Sequence, residues 1–472
     1  MKSFRIITLG CKVNQCESEA MAGALREADW WPAPDGWPAG LCIINTCAVT
    51  GKASMQSRQA IRQVIRANPH ACIVVTGCYA QTEVEVLRKM GGIDLIVGHG
   101  DKHRIVMMVD EHLKKIPKDS RFGMDFKVKP RDPEAVVPEL HVRDILEERQ
   151  FRQMDATPNG DRTRPFLKIQ DGCDAFCTYC IVPYARGRSR SMPIPEVLGA
   201  VAGLAARGFR EVVFSGIHMG CYGRDLDPRT DFLELLRRVD AEAAVDRVRL
   251  SSIEPLELSR GIVDILAASQ RFCPHFHVPL QSGDNEVLRR MGRPYTREMF
   301  SAVVRGIHEK IPDAAIGVDV LIGFPGESET AFSNTYNIVN DLPISYLHVF
   351  PFSPRKGTPA AAYADPVPPE AVKARCRRMR TLGSAKRKAF YRRFLGRTVD
   401  VLVESERDGD TGLLKGVSGN YLTVLLEGED ALRNRIVPVC IERVGSGRLA
   451  FGRQMNDPRA DSGAARCLFG NR

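Results

Sequence analysis

The chain has 472 residues, of which 44% are hydrophobic, and its formal net charge is +10. This length allows two or three domains with their own cores, and no run of about 18 apolar residues predicts a membrane span. Its first residues predict a strand and not a signal peptide. Fourteen cysteines in such a chain therefore indicate a reducing, cytoplasmic compartment and metal binding, and the positive charge favours a polyanionic partner.

Apolar runs and helical patterns alternate through the first 116 residues. The predicted strands are residues 4–9, 41–46, 71–76 and 94–97, and the predicted helices are residues 15–28, 52–67 and 82–90. This alternation is typical of βαβ units with right-handed crossovers. Residues 1–116 therefore predict an α/β domain built on a parallel sheet.

Three cysteines, Cys11, Cys47 and Cys78, each lie just after one of these strands. The carboxyl ends of parallel strands meet at one edge of a sheet, where ligands bind. Thiols that are far apart in sequence are gathered there, which suits a cubane iron–sulfur cluster. The alternative is that each is a small core residue. We predict a cluster, because three cysteines share the same topological position.

No metal site is predicted for the other cysteines. Cys42 and Cys72 lie inside strands and are predicted to be core residues. Cys16 lies on the first helix, one turn after Cys11, and is interpreted as a bystander, with exchange as a ligand left open. No partners in register are found for the remaining five, which are Cys221, Cys273, Cys376, Cys440 and Cys467.

Residues 117–160 are rich in Pro, Asp, Arg and Lys and predict a connecting segment, and residues 161–390 predict a second α/β domain. Its predicted strands are residues 165–169, 211–215, 247–251, 275–279, 315–322 and 345–350. Its predicted helices are residues 195–207, 231–239, 259–268, 297–310 and 329–340. Six β/α units predict a partial (β/α)6 barrel, with its functional groups at the carboxyl ends of the strands.

A second group of cysteines, Cys173, Cys177 and Cys180, follows the first barrel strand. Three thiolates at this spacing can hold three corners of a 4Fe-4S cluster, which needs four ligands. Nothing nearby in the sequence supplies a fourth, so one iron is left open to a small molecule. Zinc is the alternative, but a structural zinc site usually takes four protein ligands. The loop also lies where a barrel carries its chemistry.

This Cys-x3-Cys-x2-Cys loop, with Tyr179 before its last cysteine, resembles that of the radical S-adenosylmethionine enzymes. Together with the three upstream cysteines, it makes the chain resemble the methylthiotransferases of that superfamily. The resemblance covers residues 1 to about 453. Further stretches that resemble the family are residues 181–190, 249–255, 277–283 and 319–327.

Residues 8–15 resemble the branch that adds a methylthio group to C2 of N6-threonylcarbamoyladenosine beside the tRNA anticodon. Cys16 departs from this branch, which usually has an aromatic residue there. The sister branches stay as alternatives; they act on isopentenyladenosine in tRNA or on a ribosomal-protein aspartate. A non-catalytic iron–sulfur RNA-binding protein is a third reading.

The resemblance implies two 4Fe-4S clusters and S-adenosylmethionine as cofactors, and an electron donor such as flavodoxin or ferredoxin. The catalytic cluster would be held by Cys173, Cys177 and Cys180, where electron transfer to S-adenosylmethionine yields a 5′-deoxyadenosyl radical. The N-terminal cluster would present a methylated sulfur to the substrate. The candidate S-adenosylmethionine contacts are Tyr179, Ser215, Gly216, Gly323, Pro325 and Gly326. For the glycines, ordinary tight turns are the alternative.

Positive charge is concentrated late in the chain, with eleven Lys or Arg and no Asp or Glu between Ala371 and Arg397. Apolar residues at helical spacing predict a basic amphipathic helix. It is either a solvated face or a contact with an RNA backbone. The candidate RNA contacts are Arg377, Arg378, Lys386, Arg387, Lys388, Arg392 and Arg393, with Arg186 and Arg188 predicted to reach a phosphate or a carboxylate.

Residues 391–453 contain five short alternating runs separated by turns, which predict a small antiparallel β-barrel. This segment resembles the RNA-binding TRAM module that ends the family's chains, and a dimerisation or capping barrel is the alternative. Residues 454–472 predict a tail. The expected partners are therefore tRNA, S-adenosylmethionine and an electron donor, and no membrane.

Overall fold

The computed structural model describes residues 2–115, 136–154, 162–445 and 448–455. These residues form an N-terminal parallel α/β sheet, a six-stranded partial barrel and a closed C-terminal β-barrel, which confirms the predicted fold class. Across these ranges, no helix is both long enough and apolar enough to pass through a bilayer. Cys467, most of the predicted connection and nearly all of the predicted tail lie outside the described residues.

The N-terminal sheet has six strands, all parallel. They are β1 (Ser3–Thr8), β2 (Trp31–Pro32), β3 (Leu41–Thr46), β4 (Cys72–Gly77), β5 (Leu95–Val97) and β6 (Glu139–His141). Their order across the sheet is β2-β1-β3-β4-β5-β6. The helices are α1 (Lys12–Glu27), α2 (Gly51–Ala67), α3 (Cys78–Thr82), α4 (Val84–Arg88) and α5 (Ile105–Lys115). Every residue of β3 and β4 is buried, as expected for a parallel sheet covered on both faces.

Two details of this sheet differ from the sequence-based predictions. The helix predicted over residues 82–90 is instead two short helices, α3 and α4. Strand β6 lies inside the predicted connecting segment and pairs with β5. Its three residues are partly exposed and include two polar side chains, so no apolar run marks it in the sequence.

The central part contains six parallel strands. They are β7 (Phe166–Lys168), β10 (Glu211–Ser215), β11 (Arg247–Leu250), β12 (His275–His277), β13 (Ala315–Ile322) and β14 (Tyr346–Pro351). A separate two-residue ladder joins β8 (Gln170–Asp171) to β9 (Arg190–Ser191). The six strands form two three-stranded sheets, β7-β10-β11 and β12-β13-β14. Isolated parallel bridges join them, from Val248 to Phe272 and from Ser252 to His277, so the sheet curves into a partial barrel.

Helices surround this barrel on its outer face. The short helix α6 (Val182–Arg186) packs instead against α3 of the N-terminal domain. The helices on the barrel are α7 (Ile194–Ala206), α8 (Phe232–Glu242), α9 (Arg260–Ala268), α10 (Asn285–Arg290), α11 (Arg297–Lys310) and α12 (Glu329–Asp341). Most begin with a side chain that accepts a hydrogen bond from the first turn, and these N-caps are Asp231, Ser259, Asp284, Thr296 and Ser328. The apolar faces of the helices and the outer faces of the strands form one continuous core.

The C-terminal barrel has five strands, β15 (Thr398–Arg407), β16 (Leu414–Ser418), β17 (Thr423–Leu426), β18 (Ile436–Val444) and β19 (Ala450–Gln454). They close in the order β15-β16-β17-β19-β18. Four of the pairings are antiparallel, as predicted, and β17 pairs with β19 in parallel. A long helix, α13 (Pro369–Arg392), precedes this barrel and packs along β14.

The C-terminal barrel closes the end of the partial barrel at which its strands begin. The Asn434 side chain donates a hydrogen bond to the carbonyl of Gly208, just before β10, at 2.8 Å. The Asn420 side chain donates to the carbonyl of Asp313, just before β13, at 3.2 Å.

Candidate active site with two cysteine triads

The first group of thiols, here called the rim triad, is Cys11, Cys47 and Cys78. Strands β1, β3 and β4 are neighbours in the sheet, and Thr8 is level with Asn45 and Asn45 with Thr76. The three cysteines follow these level positions by two or three residues. They therefore lie together at the carboxyl edge of the sheet, as the sequence predicts.

Packing at this edge is close. Gly10 has φ +101°, and a Cβ atom at this position would lie 2.9 Å from Cys47 Sγ. Cys11 is exposed, whereas Cys47 and Cys78 are buried. Burial raises the pKa of the Cys47 thiol, and it raises that of Cys78 to about 12. These buried thiols stay protonated until a cation binds them and displaces the proton.

The second group, here called the loop triad, is Cys173, Cys177 and Cys180, between β8 and α6. The backbone of the loop is fixed locally: Cys180 N donates to Cys177 O at 2.9 Å, and Cys173 N donates to Gly187 O at 3.0 Å. Burial raises the pKa of Cys177, and it raises the pKa of Cys180 to about 12. All thirteen described cysteines are free thiols, so both triads are available as ligands.

Polar residues that the sequence did not single out contact the loop triad. His218 Nδ1 lies 3.3 Å from Cys173 Sγ, and its Nε2 lies 2.7 Å from Glu257. Burial lowers the pKa of His218, but its contacts with Cys173, Cys221 and Glu257 outweigh burial and raise the pKa above its usual value. Cys221, for which the sequence offered no partner, lies beside this imidazole. Only the fold joins these residues, which are separated along the chain.

Arg293 contacts the loop triad from another side. Its Nη1 donates to Cys177 Sγ at 3.4 Å and to Glu254 at 3.1 Å. The guanidinium is almost completely buried. A fixed positive charge therefore lies next to a thiol that must become a thiolate to bind iron, and it favours the deprotonated form.

A buried ionic network joins the two triads. Helix α6 begins two residues after Cys180 and ends at Arg186, whose side chain is 1% exposed. Arg186 donates to Glu17 at 3.0 Å and to Asp171 at 2.9 Å. Burial alone raises the pKa of Glu17, but the positive charges of Arg186, Lys102 and Lys168 hold it well below its usual value. Glu17 follows Cys11 on α1, so one network fixes the N-terminal sheet against the loop triad.

These contacts correct the prediction that Arg186 binds RNA. Its guanidinium is buried and already paired with two carboxylates, so no phosphate can reach it. Of the two expected ligand types, the structure gives Arg186 the carboxylate. Arg188 is exposed and lies 3.3 Å from Asp174, so it stays a candidate for RNA contact.

The candidate S-adenosylmethionine contacts lie around the loop triad. The ring of Tyr179 packs edge-on against Phe324, in the turn that contains Gly323, Pro325 and Gly326. The structure therefore brings Tyr179 and this turn together. Side chains of other residues cover the positions of a Cβ atom at the two glycines, which favours the tight-turn interpretation for them. Ser215 is buried at the end of β10, with Gly216 packed against Gln170.

The two triads fit iron–sulfur clusters by the chemistry of their donors. Each supplies three free thiols at a strand end, and soft thiolate ligands are those that iron–sulfur clusters take. Cys16 does not add to the rim triad in this structure, because its Sγ contacts the carbonyl of Phe166 at 3.4 Å. Cys42 and Cys72 lie in the apolar cores of the sheet, as predicted.

A polar cavity of about 700 Å³ lies where the N-terminal sheet, the partial barrel and the C-terminal barrel meet. A second cavity of about 230 Å³ shares four wall residues with it and extends to β14 and α13. The shared residues are Arg164, Glu404, Lys415 and Tyr421. The two cavities are therefore neighbours with a common wall between the partial barrel and the C-terminal barrel.

The basic helix is α13, and its charges divide into two groups. Four of the predicted RNA contacts are used within the fold: Arg378, Lys386, Arg387 and Arg393. Lys386, for example, donates to the carbonyls of Asn340 and Leu342, each at 2.6 Å. The other three are exposed and have no acidic partner among the described residues: Arg377, Lys388 and Arg392. These three are the better candidates for a phosphate backbone.

Comparison with known families covers both triads. Residues 3–98 match the uncharacterized protein family UPF0004, and residues 167–339 match the Radical SAM superfamily. The rim triad lies within the first match and the loop triad within the second.

Several relatives match almost the whole chain. The threonylcarbamoyladenosine tRNA methylthiotransferase MtaB of Bacillus subtilis is 35% identical over 94% of this chain and 95% of its own. The protein of the same name from Aquifex aeolicus is also 35% identical, over 89% and 96%. The tRNA-2-methylthio-N(6)-dimethylallyladenosine synthase of Pelotomaculum thermopropionicum is 32% identical over 93% and 95%.

Among solved structures, the radical S-adenosylmethionine methyltransferase TsrM from Kitasatospora setae, with cobalamin and a 4Fe-4S cluster bound, is similar in fold. Its TM-score is 0.52 at 16% identity, over 76% of this chain and 77% of that one. At this identity the likeness shows the fold alone.

Proposed function

The chain belongs to the radical S-adenosylmethionine methylthiotransferases, and we propose that it adds a methylthio group to C2 of N6-threonylcarbamoyladenosine beside the anticodon of tRNA. Its cofactors are two 4Fe-4S clusters and S-adenosylmethionine. One observation carries the proposal: two separate triads of free thiols lie at two strand-end edges, and one buried network joins them.

The two triads divide the chemistry. We assign the cluster that binds S-adenosylmethionine to the loop triad, and the cluster that supplies sulfur to the rim triad. When bound, S-adenosylmethionine supplies a 5′-deoxyadenosyl radical on one-electron reduction and, from a second molecule, the methyl group. Removal of hydrogen from a ring carbon is beyond ordinary acid–base chemistry, which explains why a radical source and a sulfur source occur in one chain.

The chain's own residues hold and adjust these sites. Arg293 and His218 contact sulfurs of the loop triad, and hydrogen bonds to sulfur help to set a cluster's reduction potential. Arg186 places a positive charge near the rim triad and helps to offset the negative charge of its thiolates. The buried ion pairs of Arg186 and Glu17 fix the distance between the two sites.

The remaining partners follow from the same proposal. The exposed Arg377, Lys388 and Arg392 of α13, together with the C-terminal barrel, bind the phosphate backbone of the tRNA. A flavodoxin or ferredoxin supplies the electron, and the reaction takes place in the cytoplasm. Each of the three basic residues contributes to the dependence of binding on salt, with a slope of about 0.7–0.9 per phosphate contact.

The test uses the anaerobically reconstituted chain with S-adenosylmethionine, a chemical reductant and a synthetic anticodon stem-loop that carries N6-threonylcarbamoyladenosine. Mass spectrometry of the digested RNA is expected to show the methylthio derivative, and none with an isopentenyladenosine stem-loop. Cleavage of S-adenosylmethionine without modification of any RNA would contradict the proposed substrate. Transfer to the isopentenyl stem-loop alone would assign the chain to the sister activity.

A further inference from the structure

Two adjacent residues at the start of α1 face different parts of the site. Cys11 belongs to the rim triad, and Lys12, the first residue of the helix, lines the 700 Å³ cavity. The Lys12 ammonium lies 5.9 Å from the centre of the Phe166 ring on β7. The wall near it also includes Val213 and Arg249 of the barrel. The backbone at this point therefore connects the sulfur site directly to the cavity.

Lys12 differs from the other cations of this cavity in having no acidic partner. Each of the others forms an ion pair, and these are Arg162 with Glu19, Arg164 with Glu404, Arg249 with Glu211, Arg407 with Asp430 and Lys415 with Glu404. Over the ranges that the structure describes, Lys12 makes no ion pair and no hydrogen bond through its side chain. Its contact with the Phe166 ring is a cation–π interaction.

The other carboxylates near the cavity also form no ion pair with Lys12. Asp319, across the barrel, accepts from His277 at 2.9 Å and lies 3.4 Å from His348. Asp408 accepts hydrogen bonds from Thr411, and Glu406 is exposed to solvent. None of the three is paired with Lys12, so the ammonium remains available to an anion that enters from outside.

A neighbouring histidine shows that this part of the barrel is electropositive. His275 is buried on β12, and burial first, then the charges of Arg249 and Lys12, hold its pKa well below the usual value. It therefore stays neutral and does not compete for an anion. A partly buried ammonium that no carboxylate contacts directly is unfavourable, although the charge of Asp319 acts on it from across the barrel. An anionic ligand in the cavity would relieve this cost.

We propose that Lys12 binds the carboxylate of the threonyl group of the substrate and so positions the adenine against the rim triad. This inference rests on the proposed function. The threonylcarbamoyl group is the source of a carboxylate on the base, whereas an isopentenyl group is uncharged. An ammonium next to a cluster ligand lets one end of the modified base be held while its ring faces the sulfur. Lys12 is thus a positioning residue that selects the acidic modification.

The test compares three stem-loop RNAs: one with N6-threonylcarbamoyladenosine, one with the threonyl carboxylate converted to the carboxamide, and one with unmodified adenosine. The proteins are the reconstituted wild type, Lys12→Met, Lys12→Arg and the control Lys89→Met. Lys89 is exposed, at the end of α4. Dissociation constants are measured for all three RNAs, and kcat/KM for the first two. The iron content of each protein verifies that the clusters are present.

Lys12→Met is expected to bind the carboxylate RNA about 10- to 100-fold more weakly, since a hydrogen bond to a charged group is lost. Wild type is expected to bind the carboxamide RNA more weakly than the carboxylate RNA by a similar factor. Lys12→Met is expected to bind the carboxamide RNA no more weakly than wild type does. That non-additivity is the signature of a direct contact. Lys12→Arg retains most of the preference, and Lys89→Met behaves as wild type.

Three results would overturn the inference. The first is an equal loss on all three RNAs, which would mean that Lys12 contacts a backbone phosphate or supports the fold. The second is a wild type that accepts the carboxamide as well as the carboxylate, a measurement that needs no variant to fold. The third is full binding by Lys12→Met. If wild type fails to methylthiolate the carboxylate RNA at all, the proposed function falls first, and this inference with it.

Discussion

The two cysteine triads reach similar chemistry by different structural routes. The loop triad lies within eight consecutive residues. Backbone hydrogen bonds within and next to the loop hold it, and Thr178 also donates to Met291 of another barrel segment. The rim triad is spread over 68 positions, from Cys11 to Cys78, and exists because β1, β3 and β4 are adjacent and in register. A local motif therefore defines one site, and the topology of a whole sheet defines the other. The rim triad should be the more sensitive to changes in the fold.

The largest expected difference between the triads concerns activity. Cys177→Ala removes a ligand of the loop triad and should reduce both cleavage of S-adenosylmethionine and methylthio transfer to background. Cys47→Ala removes a ligand of the rim triad and should abolish methylthio transfer while cleavage continues. Chromatography of 5′-deoxyadenosine and mass spectrometry of the RNA separate the two. Equal loss of both activities in both variants would show that the triads do not divide the chemistry.

The next effect concerns the network that joins the triads. Glu17→Gln leaves Lys102 buried without a carboxylate and Arg186 with Asp171 alone, and it should lower the free energy of unfolding by about 3–5 kcal/mol. The control is Arg260→Ala, which breaks an exposed pair with Asp264 and should change it by less than about 0.5 kcal/mol. Chemical denaturation gives both values. Similar small changes in the two variants would mean that the network does not hold the domains together.

The same network predicts how stability depends on pH. Burial raises the pKa of Glu17 and Asp171, but their cationic partners outweigh it and hold both values well below the usual 4.5 and 3.8. The unfolded chain therefore takes up these protons first, so their stabilising effect is complete above pH 4.5 and is lost as pH falls further. Denaturation midpoints of the metal-free chain should fall in acid, and less steeply in Glu17→Gln. Parallel curves for the two proteins would contradict this.

The smallest expected effect comes from backbone strain next to the rim triad, which the loop triad does not share. Gly10→Ala places a Cβ atom 2.8 Å from Cys47 Cβ at a φ of +101° and should cost about 1–3 kcal/mol. Iron should be lost from the rim triad in preference to the loop triad. Gly199→Ala, on α7 with nothing within 4 Å, should stabilise the chain by about 0.5–1 kcal/mol. Iron analysis and thermal unfolding measure both, and unchanged iron in Gly10→Ala would argue against a cluster beside Cys47.

Much of the site can be predicted from the sequence, because strand ends and cysteine spacing are local features of the chain. Strand ends marked by Cys11, Cys47 and Cys78 can be placed at one edge once the βαβ alternation is recognised. The loop triad is visible from its spacing alone. The comparisons confirm the family and the fold class, and the assignment of individual ligands stays a prediction.

The residues that escaped prediction owe their roles to long-range pairing. No sequence pattern distinguishes Lys102 from other basic residues, yet this residue is 1% exposed and pairs with Glu17, 85 positions away. His218 and Arg293 reach the loop triad from other barrel segments. In α13, composition suggested a free basic face, but residues such as Lys386 are used to pack the helix on the barrel. Charge in a sequence does not reveal whether its partner is solvent, protein or ligand.

The most direct test is the iron content of three reconstituted proteins: wild type, a variant with Ala at all three positions of the rim triad, and one with Ala at all three positions of the loop triad. Two independent cluster sites predict about eight irons per wild-type chain and about four in each variant. About four irons in wild type, or no loss when the rim triad is removed, would contradict the existence of a second site.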